Sequence, residues 1–561
     1  SVWLTLSASG LKVSYGCTPD ILAMSDKQPS SQQFAFTTGG QALTDGGDKT
    51  SALPELPPPD ETPVSILSIS GQAATQTHTD TIRAMVSAIE PDVVVAGEPG
   101  SEVVKPSLDR ELSVDILQAK SGLRPDVATA AEGECVIIAL PMGGDQLDSE
   151  QIASRHGTPA DAFDPAPRHC VITQAVSLAV DPYERSASLT GVDTYRNRIP
   201  EEWETPQTLH LSTALRAGFS TTHHCPDGAV MRFVGIGASQ ADLGVGTTPH
   251  TTPVTHIEYY SNGALSVDDV DPHSFGLRGV HGIGANRIEN LREADITSVD
   301  NLVEMPLRTL AELPGMGRRS AETIQTAARA RATNTVISTG DDSLPTQEPV
   351  FIDIETDGLN PSTAWLIGVL DGGPEDGNYM SFREQAVGDG EHLNAFMTWL
   401  TGAAAGRPVV AWNGFNFDFP VITDQLRAHH PDLVAAWTDR YQFDAYYWAT
   451  KRNGGNVALP GRTNKLEAVA EALGWEPTTN GIDGATVAQL YTAYRSHVTA
   501  DSENAAVEVD WTRLEQYCED DVRALATIYK HLRTAARREP TSKTPTGDNS
   551  SQGSLADFSS Q

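Results

Sequence analysis

The stretch Val350-Phe351-Ile352-Asp353-Ile354-Glu355-Thr356-Asp357-Gly358 constrains this chain more than any other. Its apolar residues and closing Asp-Gly predict a short buried strand that runs into a turn. Strand side chains alternate between faces, so Ile352 and Ile354 point one way and Asp353 and Glu355 the other. Two carboxylates about 7 Å apart, at about 3.3 Å of rise per residue, then share one half-buried face. They repel unless a cation lies between them, and a hard divalent ion with oxygen ligands is the natural partner. In a chain with 74 acidic residues an isolated Asp-x-Glu carries little weight. The downstream acids give it meaning.

Those acids come from two further segments. Trp365–Leu370 and Asn378–Phe382 read as further strands, a helix spans about 393–400, and Val409–Trp412 reads as another strand. Asn413-Gly414-Phe415-Asn416-Phe417-Asp418 follows at once and puts an acid at the start of a helix. Trp511–Leu532 reads as one helix, on which Tyr517 and Asp521 are four residues apart and share a face. Asp353, Glu355, Asp418 and Asp521 would together form a four-carboxylate cluster.

The cluster resembles the two-metal sites of the DEDD exonucleases, and that resemblance implies hydrolysis of a phosphodiester, which needs an activated water and a stabilised leaving oxygen that two metal ions about 3.5–4 Å apart supply. All-oxygen ligation fits two Mg2+ or Mn2+ ions. The resemblance implies that Asp353 would bridge the pair, that Glu355 and Asp521 would complete the hydroxide-forming site, and that Asp418 would support the second ion through water. Tyr517 would orient the nucleophilic water, since an unperturbed pKa near 10 makes it a poor base. Among the neighbours, Asp520 is expected to face solvent, Asp357 to cap the turn and Asp444 to begin a helix. Trp412 and Phe415 are expected to pack in the core, with stacking on a base as the alternative.

The constellation Asp353-Ile354-Glu355, Asn413 to Asp418 and Tyr517-x-x-x-Asp521 resembles the DEDD exonucleases, the DnaQ-like proofreading type, over residues 348–535. Tyrosine at 517, with Gln516 where the histidine subclass has its histidine, resembles the tyrosine subclass. Asn464–Val469 and Gly481–Ala485 are similar to segments of YprB-type ribonuclease H-like members. The resemblance implies a two-metal 3′-5′ exonuclease with catalytic residues Asp353, Glu355, Asp418, Tyr517 and Asp521, the four acids holding metal.

A second pattern precedes it. Gly282-Ile283-Gly284 and Gly315-Met316-Gly317 each stand just before an amphipathic helical segment. Glycine pairs allow a tight turn, and free amides at a helix start bind anions. From Leu277 to Thr333 eight arginines face seven acids, a near-neutral island in a chain of net charge -35. This stretch resembles tandem helix-hairpin-helix modules, which grip the DNA backbone without reading sequence. Gly282, Gly284, Gly315, Gly317, Arg318 and Arg319 are the residues expected at the phosphates.

The 561 residues suffice for about three or four domains. Of the 39 basic residues 30 are Arg and 9 are Lys, a composition that resembles salt-in halophilic archaea. Such a charge would repel a polyanion in dilute buffer, but in molar salt the screening length is about 3 Å. Five cysteines without a Cys-x-x-Cys pair imply neither a disulfide framework nor a zinc ribbon, and His169-Cys170 with His223-His224-Cys225 matches no common zinc spacing. Gly235-Ile236-Gly237 lacks the rest of a phosphate-loop pattern and reads as a tight turn. No apolar run approaches the roughly 20 residues of a membrane span and no leader is visible, so a cytoplasmic location without membrane partners is expected. Ser1 in place of methionine points to a trimmed or fragmentary start.

The expected fold class is α/β. A ribonuclease H-like mixed sheet with flanking helices lies on the C-terminal side, a small all-α helix-hairpin-helix module in the middle, and an α/β or α+β domain at the N-terminal side. The expected divisions are an N-terminal segment with a proline-rich linker (1–60), an unassigned domain (61–272), the hairpin module (273–335), a linker (336–347), the exonuclease domain (348–535) and a disordered tail (536–561). The functional expectation is an exonuclease that acts on nucleic acid, DNA favoured over RNA, in DNA repair or processing. The alternatives are a silent nucleic-acid-binding scaffold and an RNA-trimming enzyme.

Overall fold

A computed structural model describes residues 55–59, 61–96, 104, 114–118, 125–140, 168–181, 186–237, 254–499 and 509–537. The first 54 residues lie outside them, as does the expected tail from 538 onward, while its first two residues, 536 and 537, end a helix.

The N-terminal domain consists of two mixed sheets face to face. The first has five strands in the order Leu265–Val270, Val254–Tyr259, Val64–Ile69, Val93–Val95, Asp115–Leu117, and the second has six. Alternate apolar residues of both, among them Val64, Ile66, Ile137, Cys170, Leu211 and Ile257, form the core between them. Helix Thr79–Ile89 covers the outer face of the first sheet.

Gly235 and Gly237 are not a tight turn. They end strand Val230–Gly237, where the register slips against Thr208–Arg216, and a side chain at either would collide with backbone carbonyls of that neighbour. The glycines therefore serve close strand approach at a bulge. His169 stacks on Trp203 with ring centres 5.4 Å apart, and His223 stands edge-on to Phe233.

Residues 55–59 of the proline-rich stretch make contacts of their own. Leu56 packs beside the buried Trp365 cluster of the C-terminal domain, and Arg513 donates to the Pro57 carbonyl.

The middle module has four helices, Ala285–Glu293, Val299–Glu304, Leu307–Glu312 and Arg318–Ala332, around one small core of Leu291, Leu302, Leu310 and Ile324. Helix Arg318–Ala332 ends beside a two-strand ribbon, in which Ile337–Ser338 pairs with Val457–Ala458. The polar run after the module is thus tied down: Thr339 and Gly340 donate their amides to the Asn456 carbonyl.

The C-terminal domain is built on five strands, β1 (Val350–Thr356), β2 (Ala364–Asp371), β3 (Asn378–Arg383), β4 (Val409–Ala411) and β5 (Gln442–Asp444), in spatial order 3-2-1-4-5. β1, β4 and β5 run parallel, while β2 and β3 form an antiparallel meander beside β1. Helices α1 (Glu391–Gly402) and α2 (Asp418–His429) cover one face, onto which β1 turns Val350, Ile352 and Ile354. Helices α3 (Ala445–Thr450) and α4 (Leu466–Ala472) follow β5, then α5 (Gly484–Thr499) and the long α6 (Trp511–Arg537). α6 lies across the other face, and Phe351 of β1 packs there against Tyr529, ring centres 5.4 Å apart. The strand alternation of β1 thus divides its side chains between an apolar layer and the layer that holds the acids.

Candidate active site

On the face that carries Phe351, β1 next presents Asp353 and Glu355, and α6 runs over them. Asp353 is half-buried, and Glu355, Asp418 and Asp521 are buried at 6, 4 and 9 % exposure. Three separate elements therefore deliver the four carboxylates to one place: β1, the first turn of α2, and α6. The Cys518 sulfur on α6 lies 3.9 Å from both the backbone oxygen and Oδ2 of Asp353. Ligand atoms of Asp353, Glu355 and Cys518 all fall within 4.8 Å of one another.

Two devices set α6 at this distance. Gly368 of β2 pairs with Asp353, and its missing side chain leaves the space that Cys518 fills. Glu515 is clamped by β3, accepting from Arg383 Nε at 2.8 Å and Ser381 Oγ at 3.1 Å, while Tyr379 donates to its backbone carbonyl.

The electrostatics of the cluster are one-sided. Burial pushes the carboxyl of Asp353 well above the usual range, with Asp521, Asp418, Glu355 and Glu467 adding to the rise. Burial, then Asp418, lifts Glu355 to about 8. Asp418 is lifted to about 7 by burial, against a lowering backbone hydrogen bond at the start of α2. Asp521 is raised by burial, then Glu467 and Glu355, and lowered by the hydroxyl of Tyr517, which donates to it. Among the described residues, the leading influences on the four are burial and other acids, not a lysine or arginine. Glu355 Oε1 is buried without a hydrogen-bond partner. Buried charge without a counter-charge costs several kcal/mol per group, so these acids either keep protons or share cations, and a donor set of this kind is one that divalent ions fit.

The structure places Asp353, Glu355, Asp418, Tyr517 and Asp521 in one neighbourhood, with Tyr517 directed at Asp521. Asp357 accepts from the Ser362 and Thr363 amides across its turn, and Asp444 caps α3 through the Tyr447 amide. Asp444 also accepts from the Asn413 and Phe415 amides at 3.1 Å each, holding the loop that leads to Asp418.

Asp520 corrects the expectation of a solvent-facing residue. It is 4 % exposed and accepts from the amides and hydroxyls of Thr478 and Thr479. α6 is buried on more than one side, so the face turned from the carboxylates meets the loop before α5 instead of water. Phe415 departs from core packing, being 46 % exposed. Glu467, on the first turn of α4, and Cys518 belong to the surroundings of the site and were not singled out from sequence. No spacing rule marks either residue, although Cys518 adjoins Tyr517 on the face that carries it.

In the middle module Gly284 and Gly317 stand at the N-termini of their helices with no side-chain cap, leaving first-turn amides for an external acceptor. Gly282 and Gly315 have φ of 90° and 68°, the left-handed region that glycine enters at least cost. Arg287 donates to the carbonyls of Gly282 at 2.6 Å and Gly315 at 3.3 Å, and Asn290 to Pro314, so the two hairpins are braced side by side. Arg318 and Arg319 are exposed beside the second hairpin.

Residues 350–533 match the RNase_H superfamily model, and residues 276–330 match the SAM-like helix-hairpin-helix tandem model. A comparison with curated proteins found no match. The chain thus carries an RNase H superfamily domain preceded by a tandem helix-hairpin-helix module, a pairing that points to nuclease activity on nucleic acid. Among the described residues no helix is long and apolar enough to cross a membrane.

Proposed function

We propose that the protein is a two-metal 3′-5′ exonuclease of the DEDD tyrosine subclass, acting on DNA in repair or processing, with the hairpin module as its grip on the sugar-phosphate backbone. The observation that carries this reading is the buried set Asp353, Glu355, Asp418 and Asp521, raised by burial and like charge and without a cation of its own. Divalent ions bound there would neutralise the carboxylates and activate water for attack at phosphorus. Asp353, Glu355, Asp418 and Asp521 would hold them. Tyr517, bonded to Asp521, fixes that carboxylate, and its hydroxyl would orient the attacking water. DNA is favoured over RNA because the hairpin module is of the type that grips the DNA backbone; its uncapped amides would meet phosphate, which both nucleic acids share. The acidic, arginine-rich composition supports a halophilic, cytoplasmic setting.

The test is degradation of matched 3′-labelled and 5′-labelled DNA and RNA, single-stranded and duplex, in molar KCl with Mg2+ or Mn2+, beside Asp353→Ala and Asp521→Ala. Metal-dependent loss of 3′ nucleotides from DNA, absent in both variants, is the expected result. Binding without hydrolysis by the wild type on every substrate would overturn it.

A further inference from the structure

Among the described residues few large aromatic side chains are exposed: Phe415, Tyr441 and Tyr447, at 46, 51 and 45 %. Two of the three touch: the rings of Phe415 and Tyr447 meet edge to face with centres 5.6 Å apart. Both hang from one carboxylate, since Asp444 accepts from the Phe415 amide at 3.1 Å and the Tyr447 amide at 2.9 Å. Behind them Trp412 and Tyr446 form a second, half-buried pair, centres 5.6 Å apart, and Trp412 is pinned through Nε1 to the Asn464 carbonyl.

The place of this patch decides its use. Phe415 follows β4 and Tyr447 follows β5, so both stand at the carboxyl ends of the parallel strands, the edge at which open α/β sheets bind ligands. Asp418 is three residues beyond Phe415 and enters the carboxylate cluster. Tyr441, by contrast, precedes β5 and stands at the opposite edge. Two of the chain's nine lysines border the patch, Lys451 with Nζ 5.9 Å from the Tyr446 ring centre and Lys465 next to Asn464, and both are exposed.

We infer that Phe415 and Tyr447 form a stacking shelf for the bases of an unpaired nucleic-acid strand, whose phosphates meet Lys451 and Lys465 and whose end is thereby fed to the carboxylates. The inference rests on the nuclease reading and names its substrate class: a single strand, or a duplex frayed or tailed at its end. Every base has a π-face, so such a shelf is indifferent to sequence. Stacking also survives the salt that weakens phosphate contacts, which suits a chain of net charge -35. Bases inside an intact duplex are already stacked and cannot use it.

The experiment uses the full chain and a single-stranded oligonucleotide with 2-aminopurine near its 3′ end. In Ca2+, fluorescence reports stacking on binding; in Mg2+ or Mn2+, initial rates report KM and kcat. Wild type and Tyr441→Ala are expected to quench alike. Phe415→Ala/Tyr447→Ala should lose the quench and raise KM at least about tenfold, the scale of one lost base stack, with kcat within about threefold. Phe415→Trp/Tyr447→Phe should restore both, and retained far-UV dichroism establishes that the variants fold. Unchanged quench and KM in the double alanine variant, with wild type active, would overturn the shelf alone. Wild type that cleaves nothing would overturn the nuclease reading, and the quench would still decide the shelf. A dimer lost in the double variant with no change in quench would make the patch a self-association surface and overturn the shelf.

Discussion

Cys518 occupies the space that Gly368 leaves open: a Cβ at Gly368 would come within 2.5 Å of its sulfur. Because Gly368 pairs with Asp353, the glycine sets how closely α6 approaches the strand that carries the first two acids. Gly368→Ala should push the helix outward and carry Asp521 and Tyr517 with it. Over-packing of this kind costs about 1–3 kcal/mol, and a misplacement near 1 Å costs about 100-fold in rate. Denaturant unfolding and initial rates on one oligonucleotide check both figures. Full activity would show that α6 tolerates the shift.

The carboxylates predict opposite effects on stability and activity. Asp353→Asn removes one of several like charges that burial has set side by side. In EDTA at high pH, where the wild-type acids are forced to ionise, the variant should be more stable than wild type by roughly 1–2 kcal/mol, since an unpaired buried charge is lost. Its hydrolysis should fall by about 1,000-fold or more. Calorimetry without metal separates this from a simple folding defect, which would lower both.

The same site gives a pH dependence with a definite sign. Glu355 is held near 8 and Asp418 near 7 in the folded protein, whereas free side chains titrate at about 4. Between those values the folded state keeps protons that the unfolded chain gives up. The contribution is therefore full below about pH 4 and is lost as pH rises through 7 and 8. Metal-free protein should melt lower at pH 8.5 than at pH 5.5, on the order of 5 °C in the transition of this domain. Mg2+ should restore the difference at pH 8.5, where the ionised acids are free to bind it. A melting temperature independent of pH in EDTA would contradict the burial described.

Asp520 anchors the loop before α5 through Thr478 and Thr479, and Asp520→Ala leaves two amides and two hydroxyls without their acceptor. Thr479 is buried and Thr478 exposed, so a loss of about 1–3 kcal/mol follows from the unsatisfied amide and hydroxyl of Thr479. Asp520→Asn, which keeps one acceptor oxygen, should recover part of it in urea melts.

Arg287 braces both hairpins through their carbonyls, so Arg287→Ala should loosen the paired anion sites together. Affinity for duplex DNA should fall about tenfold, while turnover of a short oligonucleotide at saturation stays near wild type. Anisotropy titrations beside rate measurements test the split, and equal losses in both would place Arg287 in the reaction itself.

Much of this arrangement is legible in the sequence because local rules produce it. Period-two alternation at Ile352-Asp353-Ile354-Glu355 divides β1 between two layers, and a four-residue step joins Tyr517 to Asp521. The glycine pairs at 282–284 and 315–317 announce uncapped helix starts in the same way. What escapes is set by partners distant in the chain. Asp520 reads as solvated until Thr478 and Thr479 arrive, and Phe415 reads as core because nothing local says that its strand ends at a surface. Gly235-Ile236-Gly237 looks like a turn, yet its glycines answer to Thr213 and Arg216 on the adjoining strand.

Helix Arg318–Ala332 begins at the second hairpin and ends at the ribbon tied to the C-terminal domain. Its 15 residues span about 22 Å at 1.5 Å each. A bar of set length between holder and blade is a jig: whatever the hairpins hold is presented at one standing offset, not searched for on a slack tether. Evolution could reset that offset by whole helical turns, about 5.4 Å at a time, without altering a single residue of either holder or blade.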